Sequence, residues 1–184
     1  SVTKVHLDEI SDDIEATIRC LEALGASFEK KDGVISVTPI VKKDGGILDC
    51  GECATTLRHL MPVAGALGAN VTFDGTEGLQ NRPILSLHSE MEKHGSDFST
   101  DGEFPMAMSG KLESGSYSIM GDVGAQSVSG LLMALPLLSG DSSISVIGQL
   151  KSKPYIDLTV SVLTKFGIDI TEDFPDEDDD ELPM

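Results

Sequence analysis

Three glycines set the frame of this chain. Gly25, Gly95 and Gly167 each close a stretch that reads as an amphipathic helix, and they lie about 70 residues apart. Gly51 and Gly121 belong to two turn-plus-helix segments with the same offset. A chain with this repeat cannot fold as an arbitrary α/β domain, because each unit carries an apolar helix face that only its neighbours can cover. Read in order, a unit runs strand, helix, strand, helix, strand, strand. The chain then holds one full copy and parts of two others.

The local signals agree with that frame. Asp12 to Gly25 places Ile14, Ile18, Leu21 and Leu24 on one face, with Ser11 or Asp12 as N-cap. Short strands are expected around Ala26–Glu29 and Val34–Val37, hinged at Lys31-Asp32-Gly33. A strand at Ile47, a helix from Thr55 to Leu67 and a strand at Asn70–Phe73 follow. Next come a helix over Pro83–Gly95, strands at Ser96–Ser99 and Pro105–Ser109, and a turn at Asp101-Gly102. Tyr117–Met120 reads as a strand, Gly121–Gln126 as a small-residue turn and Ser127–Leu138 as an apolar helix. The strand Ser143–Ile147, the helix Pro154–Gly167 and the strand Ile168–Ile170 complete the pattern.

The segment Ile47 to Leu60 carries the strongest chemical signal. A short apolar strand runs into Asp49 and a turn of small residues (Gly51, Cys53, Ala54), and then into a helix with Arg58 near its start. Amides in the first turn of a helix lack intrahelical acceptors, and the aligned peptide dipoles add partial positive charge. With a guanidinium beside them they form an anion site. Strand-to-helix turns of small residues also occur with nothing bound, so the pattern alone leaves both readings open.

Charge excludes some functions. The net charge is −18, and no basic stripe exists to displace counterions from nucleic-acid phosphates. Eight acids and no base fall between Glu172 and Glu181, so residues 171–184 read as a solvated acidic tail behind a lobe at residues 1–170. No apolar run approaches the ~20 residues that cross a bilayer, so no membrane partner is expected. The first residues lack the regions of a signal peptide, and a cytoplasmic location is expected. Cys20, Cys50 and Cys53 do not suit a disulfide scaffold. Cys50 and Cys53 form a C-x-x-C, which suits a redox pair or half a zinc site, but the other two zinc ligands are missing. Small buried thiols are the simpler state.

Four segments then carry a resemblance: LDCGECATTLRHL, NRPI at Asn81–Ile84, GDVGAQSVSGLLMALPLL at Gly121–Leu138, and SKPYIDLTVSVLTKFGI at Ser152–Ile168. In this order and spacing the chain resembles the 5-enolpyruvylshikimate-3-phosphate synthase family, over about Ser11 to Ile170. The resemblance implies an α/β (α+β) lobe of pseudo-threefold βαβαββ units, with helices inside and sheets outside. It implies a partner in a second lobe, absent from this chain, which carries the acidic groups used for proton transfer. The lobe's leading strand and helix are also missing. The family joins phosphoenolpyruvate to shikimate-3-phosphate by addition and elimination in aromatic amino-acid biosynthesis, and implies no cofactor and no metal.

Residue by residue, the resemblance gives Arg82 a grip on phosphoenolpyruvate, Gln126 a place between the two substrates, Ser152 the shikimate phosphate and Tyr155 the flank of the shikimate ring. Arg58 either contacts a ligand or orients its turn. Two departures stand out. Gly124 and Ala125 occupy positions where the family has two serines on the phosphate, and Ala54 stands where many members have glycine beside phosphoenolpyruvate. The methyl of Ala54 is expected to crowd the longer inhibitor glyphosate. No catalytic residue is assigned to this lobe, and it is expected to be inactive by itself. Competing readings are a sister transferase acting on UDP-N-acetylglucosamine, a non-catalytic ligand-binding remnant, and a C-x-x-C redox protein.

Overall fold

The computed structural model describes residues 1–40, 45–121 and 124–173. In chain order the elements are β1 (Thr3–His6), α1 (Asp12–Ala23), β2 (Ser27–Lys31), β3 (Val34–Thr38), β4 (Ile47–Asp49), α2 (Ala54–Leu67), β5 (Val71–Asp74), α3 (Glu77–Gln80), α4 (Leu85–Lys93), β6 (Ser96–Phe98), β7 (Met106–Gly110), β8 (Ser116–Met120), α5 (Ala125–Ala134), a 3-10 turn at Leu135–Leu137, β9 (Ser143–Ile147) and α6 (Lys153–Lys165).

Sheet topology makes the repeat explicit. The complete central unit has strand order β4-β5-β7-β6, with β4 parallel to β5 and the other pairs antiparallel. The first unit shows β1-β3-β2, which is the same sheet without the counterpart of β4. The last shows β8 parallel to β9, which is the same sheet without its final two strands. The strand β1 was not anticipated. It is four residues long, and three of them face solvent, so no run of alternating buried side chains announces it.

The repeat glycines act as helix stops. Gly25, Gly95 and Gly167 hold φ of 102°, 96° and 82°, a region in which an L side chain is strained. Around them the chain turns back on itself, as in Ala26 N–H to Leu21 O at 2.9 Å and Ile168 N–H to Leu163 O at 3.1 Å. The hinge at Lys31-Asp32-Gly33 has positive φ at both Asp32 (51°) and Gly33 (74°), as a tight hairpin turn requires.

Helices line the inside. α2 buries Leu57, Leu60, Met61 and Ala64, and one continuous core joins them to Phe73, Leu87, Met91, Tyr117, Ile119 and Leu131. α5 lies directly against α2 because Gly130 has no side chain. A Cβ at Gly130 would overlap the Arg58 carbonyl oxygen and come 3.1 Å from His59 Cα. Pro62 contributes to the same contact, since it has no amide to donate to the carbonyl four residues earlier, that of Arg58. Between units, the buried Glu90 of α4 accepts from Ser118 N–H on β8 at 2.8 Å and from Lys93 Nζ at 2.8 Å. The His94 ring stacks on Tyr117, with centroids 3.8 Å apart.

Several expected boundaries move. The helix expected from Thr55 opens one residue earlier, capped by Cys53 Sγ accepting from Thr56 N–H at 3.3 Å. The helix expected over Pro83–Gly95 spans only Leu85–Lys93, after a separate short helix at Glu77–Gln80. The helix expected at Ser127–Leu138 starts at Ala125 and tightens at Leu135, because Pro136 cannot continue the amide ladder. Ile168–Ile170 is not a strand, since β8 and β9 pair with each other and neither takes it up. Part of the Gly121–Gln126 turn (122–123) and the tail from 174 onward lie outside the described residues.

Candidate functional site

The anion-site segment folds as expected, and its meaning comes from what α5 brings to it. Asp49 Oδ1 accepts from Gly51 N–H at 2.9 Å and shapes the turn. α2 then begins with Ala54, Thr55 and Thr56 and has no acidic residue in its first turn. α5 begins with Ala125 and Gln126, also with no acidic residue there. The two N-terminal turns are side by side, because Gln126 Nε2 donates to Thr55 Oγ1 at 2.6 Å and Gln126 Oε1 accepts from Arg58 Nη1. The positive ends of two helix dipoles therefore converge.

Arg58 is the centre of this group. Its Nη2 donates to the carbonyl of Pro83 at 2.8 Å, which ties the start of α4 to α2, while its Nε is buried without a partner. Burial and, second, the nearby positive charge of Arg82 push the Arg58 pKa down from its ordinary value. Arg82 itself is exposed one residue before Pro83, its amide bonded to Leu79 O at 3.0 Å. Among the described residues no carboxylate pairs with either guanidinium. Two neighbouring arginines and two helix N-termini with no paired carboxylate among the described residues make an anion-seeking surface.

The residues singled out in the sequence divide accordingly. Arg58, Arg82 and Gln126 come together, and Ala54 and Ala125 open the two helices. Gly124 precedes α5 where a Cβ would overlap the Met120 carbonyl and come 2.7 Å from Ile119 Cγ2, so this backbone excludes a serine there. Ser152 caps α6 at φ 64°, a left-handed conformation unusual for a serine, and its hydroxyl makes no capping bond. Tyr155 is 68% exposed in the first turn of α6. α6 is linked to α5 through Thr159 Oγ1, which donates to Ser129 Oγ at 2.9 Å. No hydrogen bond among the described residues joins Ser152 or Tyr155 to the Arg58 group.

Sequence reasoning missed Thr55 and the Pro83 carbonyl. A threonine at a helix start reads only as a capping residue, and a main-chain carbonyl leaves no mark in a sequence. The C-x-x-C also reads differently in three dimensions. All three thiols are free and buried, Cys53 caps α2, and the neighbour of Cys50 is Cys20 at 4.0 Å between sulfurs. Among the described residues no group of three or more His, Cys, Asp or Glu is placed to hold a metal ion. No helix there is long and apolar enough to cross a membrane.

The sequence model of the EPSP synthase family, described as 3-phosphoshikimate 1-carboxyvinyltransferase, matches residues 3–177. The chain belongs to the EPSP synthase family. It is 41% identical over 172 residues to the 3-phosphoshikimate 1-carboxyvinyltransferase of Clostridium kluyveri, covering 91% of this chain and 40% of the relative. The Clostridioides difficile enzyme of the same name is 33% identical over 175 residues, again covering 40% of that protein. In structure the chain is similar to EPSP synthase from Acinetobacter baumannii, with a TM-score of 0.78 and 22% identity over 94% of this chain and 40% of that one. That likeness establishes the enolpyruvyl-transferase fold. The chain spans about 40% of the length of the curated relatives it matches.

Proposed function

We propose that this chain is the shikimate-3-phosphate-binding lobe of an enolpyruvyl transferase that joins phosphoenolpyruvate to shikimate-3-phosphate by addition and elimination. The observation that carries this reading is the Arg58–Gln126–Thr55 cluster between two helix N-termini, with Arg82 beside it and, among the described residues, no acid paired with either guanidinium. Both substrates are polyanions, and a site with preset positive potential binds them without reorganising at the moment of reaction. Arg82, exposed and unpaired by carboxylates, takes the phosphoenolpyruvate end. Gln126, held by Arg58 and Thr55, is fixed in orientation between the two substrates. Arg58 acts through Gln126 and the Pro83 carbonyl as a positioning residue.

The shikimate phosphate falls to the start of α5 and to Ser152. With Gly124 and Ala125 in place of two serines, the main-chain amides of this turn do the work of hydroxyls. The absence of a Cβ at Gly124 lets the backbone pack onto Met120. The strained φ of Ser152 fits a hydroxyl held outward for a ligand instead of inward as a helix cap.

Completion of the cleft is assigned to the remainder of a longer polypeptide. α6 shows an apolar stripe of Tyr155 (68% exposed), Leu158 (63%), Val162 (44%) and Phe166 (64%), and among the described residues each outer unit lacks one of the two strands that flank β5 in the central one. The second lobe and the absent units would cover those surfaces, and this chain by itself binds without turning over.

Titration of the chain with shikimate-3-phosphate, against shikimate as a control, tests the reading. Binding that requires the phosphate and weakens by about 1.5–3 kcal/mol, tenfold or more, in Gln126→Ala is expected for loss of charge-assisted hydrogen bonds. Equal affinity for shikimate, or tighter binding of a UDP-sugar, would reject it.

A further inference from the structure

The buried sulfurs are not used by the proposed reaction, and their arrangement differs from what the C-x-x-C spacing suggests. Cys20, on the last turns of α1, has its Sγ 4.0 Å from Cys50 Sγ. The Cys20 sulfur also lies 3.3 Å from Asp49 O and the Cys50 sulfur 3.6 Å from Leu48 O, carbonyls that either thiol proton reaches when it is not shared between the sulfurs. Cys53 is engaged elsewhere, since its sulfur accepts the Thr56 amide at the start of α2. The pair is asymmetric. A hydrogen bond from Cys50 and the charge of Arg19 favour the Cys20 thiolate against burial and the charge of Asp49, whereas that same hydrogen bond and burial keep the proton on Cys50. Arg19 is anchored there by Nη2 donating to Asp49 O at 3.1 Å and by its ion pair with Asp49 at 3.3 Å.

We propose that Cys20 and Cys50 are a peroxide-sensitive modification site that closes to an intramolecular disulfide and displaces the turn at the start of α2. The Cys20 thiolate attacks one oxygen of a hydroperoxide. The O–O bond breaks, the sulfur becomes a sulfenic acid, and the departing oxygen leaves as water (or an alcohol) with the proton Cys20 has released. Cys50 sulfur then attacks the sulfenic sulfur, the S–S bond forms, the S–O bond breaks, and the hydroxyl leaves as water with the Cys50 proton. Two electrons pass from the thiols to the peroxide, and dithiols reverse the change.

Geometry gives the reaction a consequence. A disulfide needs about 2.05 Å between sulfurs, so the two must close by about 2 Å. Any main-chain movement of Cys50 is passed on, because its amide donates to Asp74 O at 2.9 Å and its carbonyl accepts from Cys53 N–H at 3.0 Å. The next residues are those that open α2 and hold Gln126. α1 is already coupled to this point by the 2.7 Å contact between Thr17 Oγ1 and Thr56 Oγ1. Both thiols are fully buried, so peroxide reaches them through local opening of the turn and reacts slowly.

The test treats the intact chain with hydrogen peroxide, alkylates the remaining thiols, and maps the linkage by mass spectrometry of peptides. A Cys20 peptide joined to a Cys50 peptide, lighter by about 2 Da, with Cys53 alkylated and reversal by dithiothreitol, is expected. A Cys50–Cys53 bridge, over-oxidation without any bridge, or three unreacted thiols at peroxide levels that oxidise glutathione would overturn the proposal. Because the mapping uses the unaltered chain, it does not depend on variants that fail to fold. Cys53→Ser is expected to keep the bridge and Cys20→Ser to lose it. Amide NMR signals of Thr55 and Thr56 should shift on oxidation, and unchanged signals would overturn the transmitted effect. None of these readouts requires substrate, so the outcome is separate from that of the proposed function.

Discussion

α2 and α6 are nearly equal in length, 14 and 13 residues, and both pack against α5, yet their surroundings are opposite. α2 buries eight residues between the sheet of its own unit and α5, whereas α6 buries only Ile156. Both sequences are amphipathic. The difference therefore lies in position within the repeat array: the central unit has neighbours on both sides, and the last one in this chain does not. An apolar helix face states that something covers it, but not what.

Truncation of the two helices gives the largest expected contrast. Leu57→Ala in α2 removes a fully buried side chain and should lower unfolding stability by about 2–5 kcal/mol. Leu158→Ala, on the exposed stripe of α6, should change it by about 0.5 kcal/mol or less. Equal losses in denaturant melts would show that α6 is as enclosed as α2.

Acid acts on α2 next. Burial holds His59 down at about 4 from an ordinary value of 6.5. In the unfolded chain this imidazole takes up a proton below about 6.5, while the folded chain refuses it until about 4, so stability is complete above 6.5 and falls across that window. The integrated loss is roughly 3 kcal/mol. His59→Leu should flatten that part of the stability–pH curve, and an unchanged slope would assign it to another group. Glu90, lowered chiefly by Lys93 and the Ser118 amide against burial, contributes stability above its unfolded value that is lost at still lower pH.

Gly130→Ala probes the contact between α2 and α5. The added methyl overlaps the Arg58 carbonyl and should cost about 1–3 kcal/mol. It should also loosen the Arg58–Gln126 bond, readable as weaker phosphate binding. An alanine tolerated without change in either would show that the helices slide apart freely. A small gain is expected at the start of α6. Ser152→Gly should relieve the left-handed strain and stabilise the chain by about 1 kcal/mol while weakening binding of shikimate-3-phosphate. Loss of stability instead would mean that the Ser152 side chain holds the fold.

Much of the architecture is legible in the sequence for a definite reason. The helix-stop glycines report a backbone conformation that other residues avoid, so Gly25, Gly95 and Gly167 mark the same point in each unit without reference to packing. Amphipathic spacing marks the helices between them, and the apolar strand and small-residue turn before α2 mark where the candidate site begins. What escaped is what depends on partners distant in the chain. The strand β1 exists because β3 pairs with it, and Ile168–Ile170 is not a strand because none of the described strands pairs with it.

The sequence by itself determined the period, the local elements and the family to which they belong, since these follow from backbone preference and residue type. Only the tertiary structure decided that Arg58 clasps Gln126 across 68 residues, that Cys50 faces Cys20 instead of Cys53, and that Gly124 has no room for a side chain. The first two are contacts between residues far apart in sequence, fixed by how closely α1, α2 and α5 approach one another; the third is set by how near the start of α5 comes to the end of β8, and sequence spacing carries no measure of either distance.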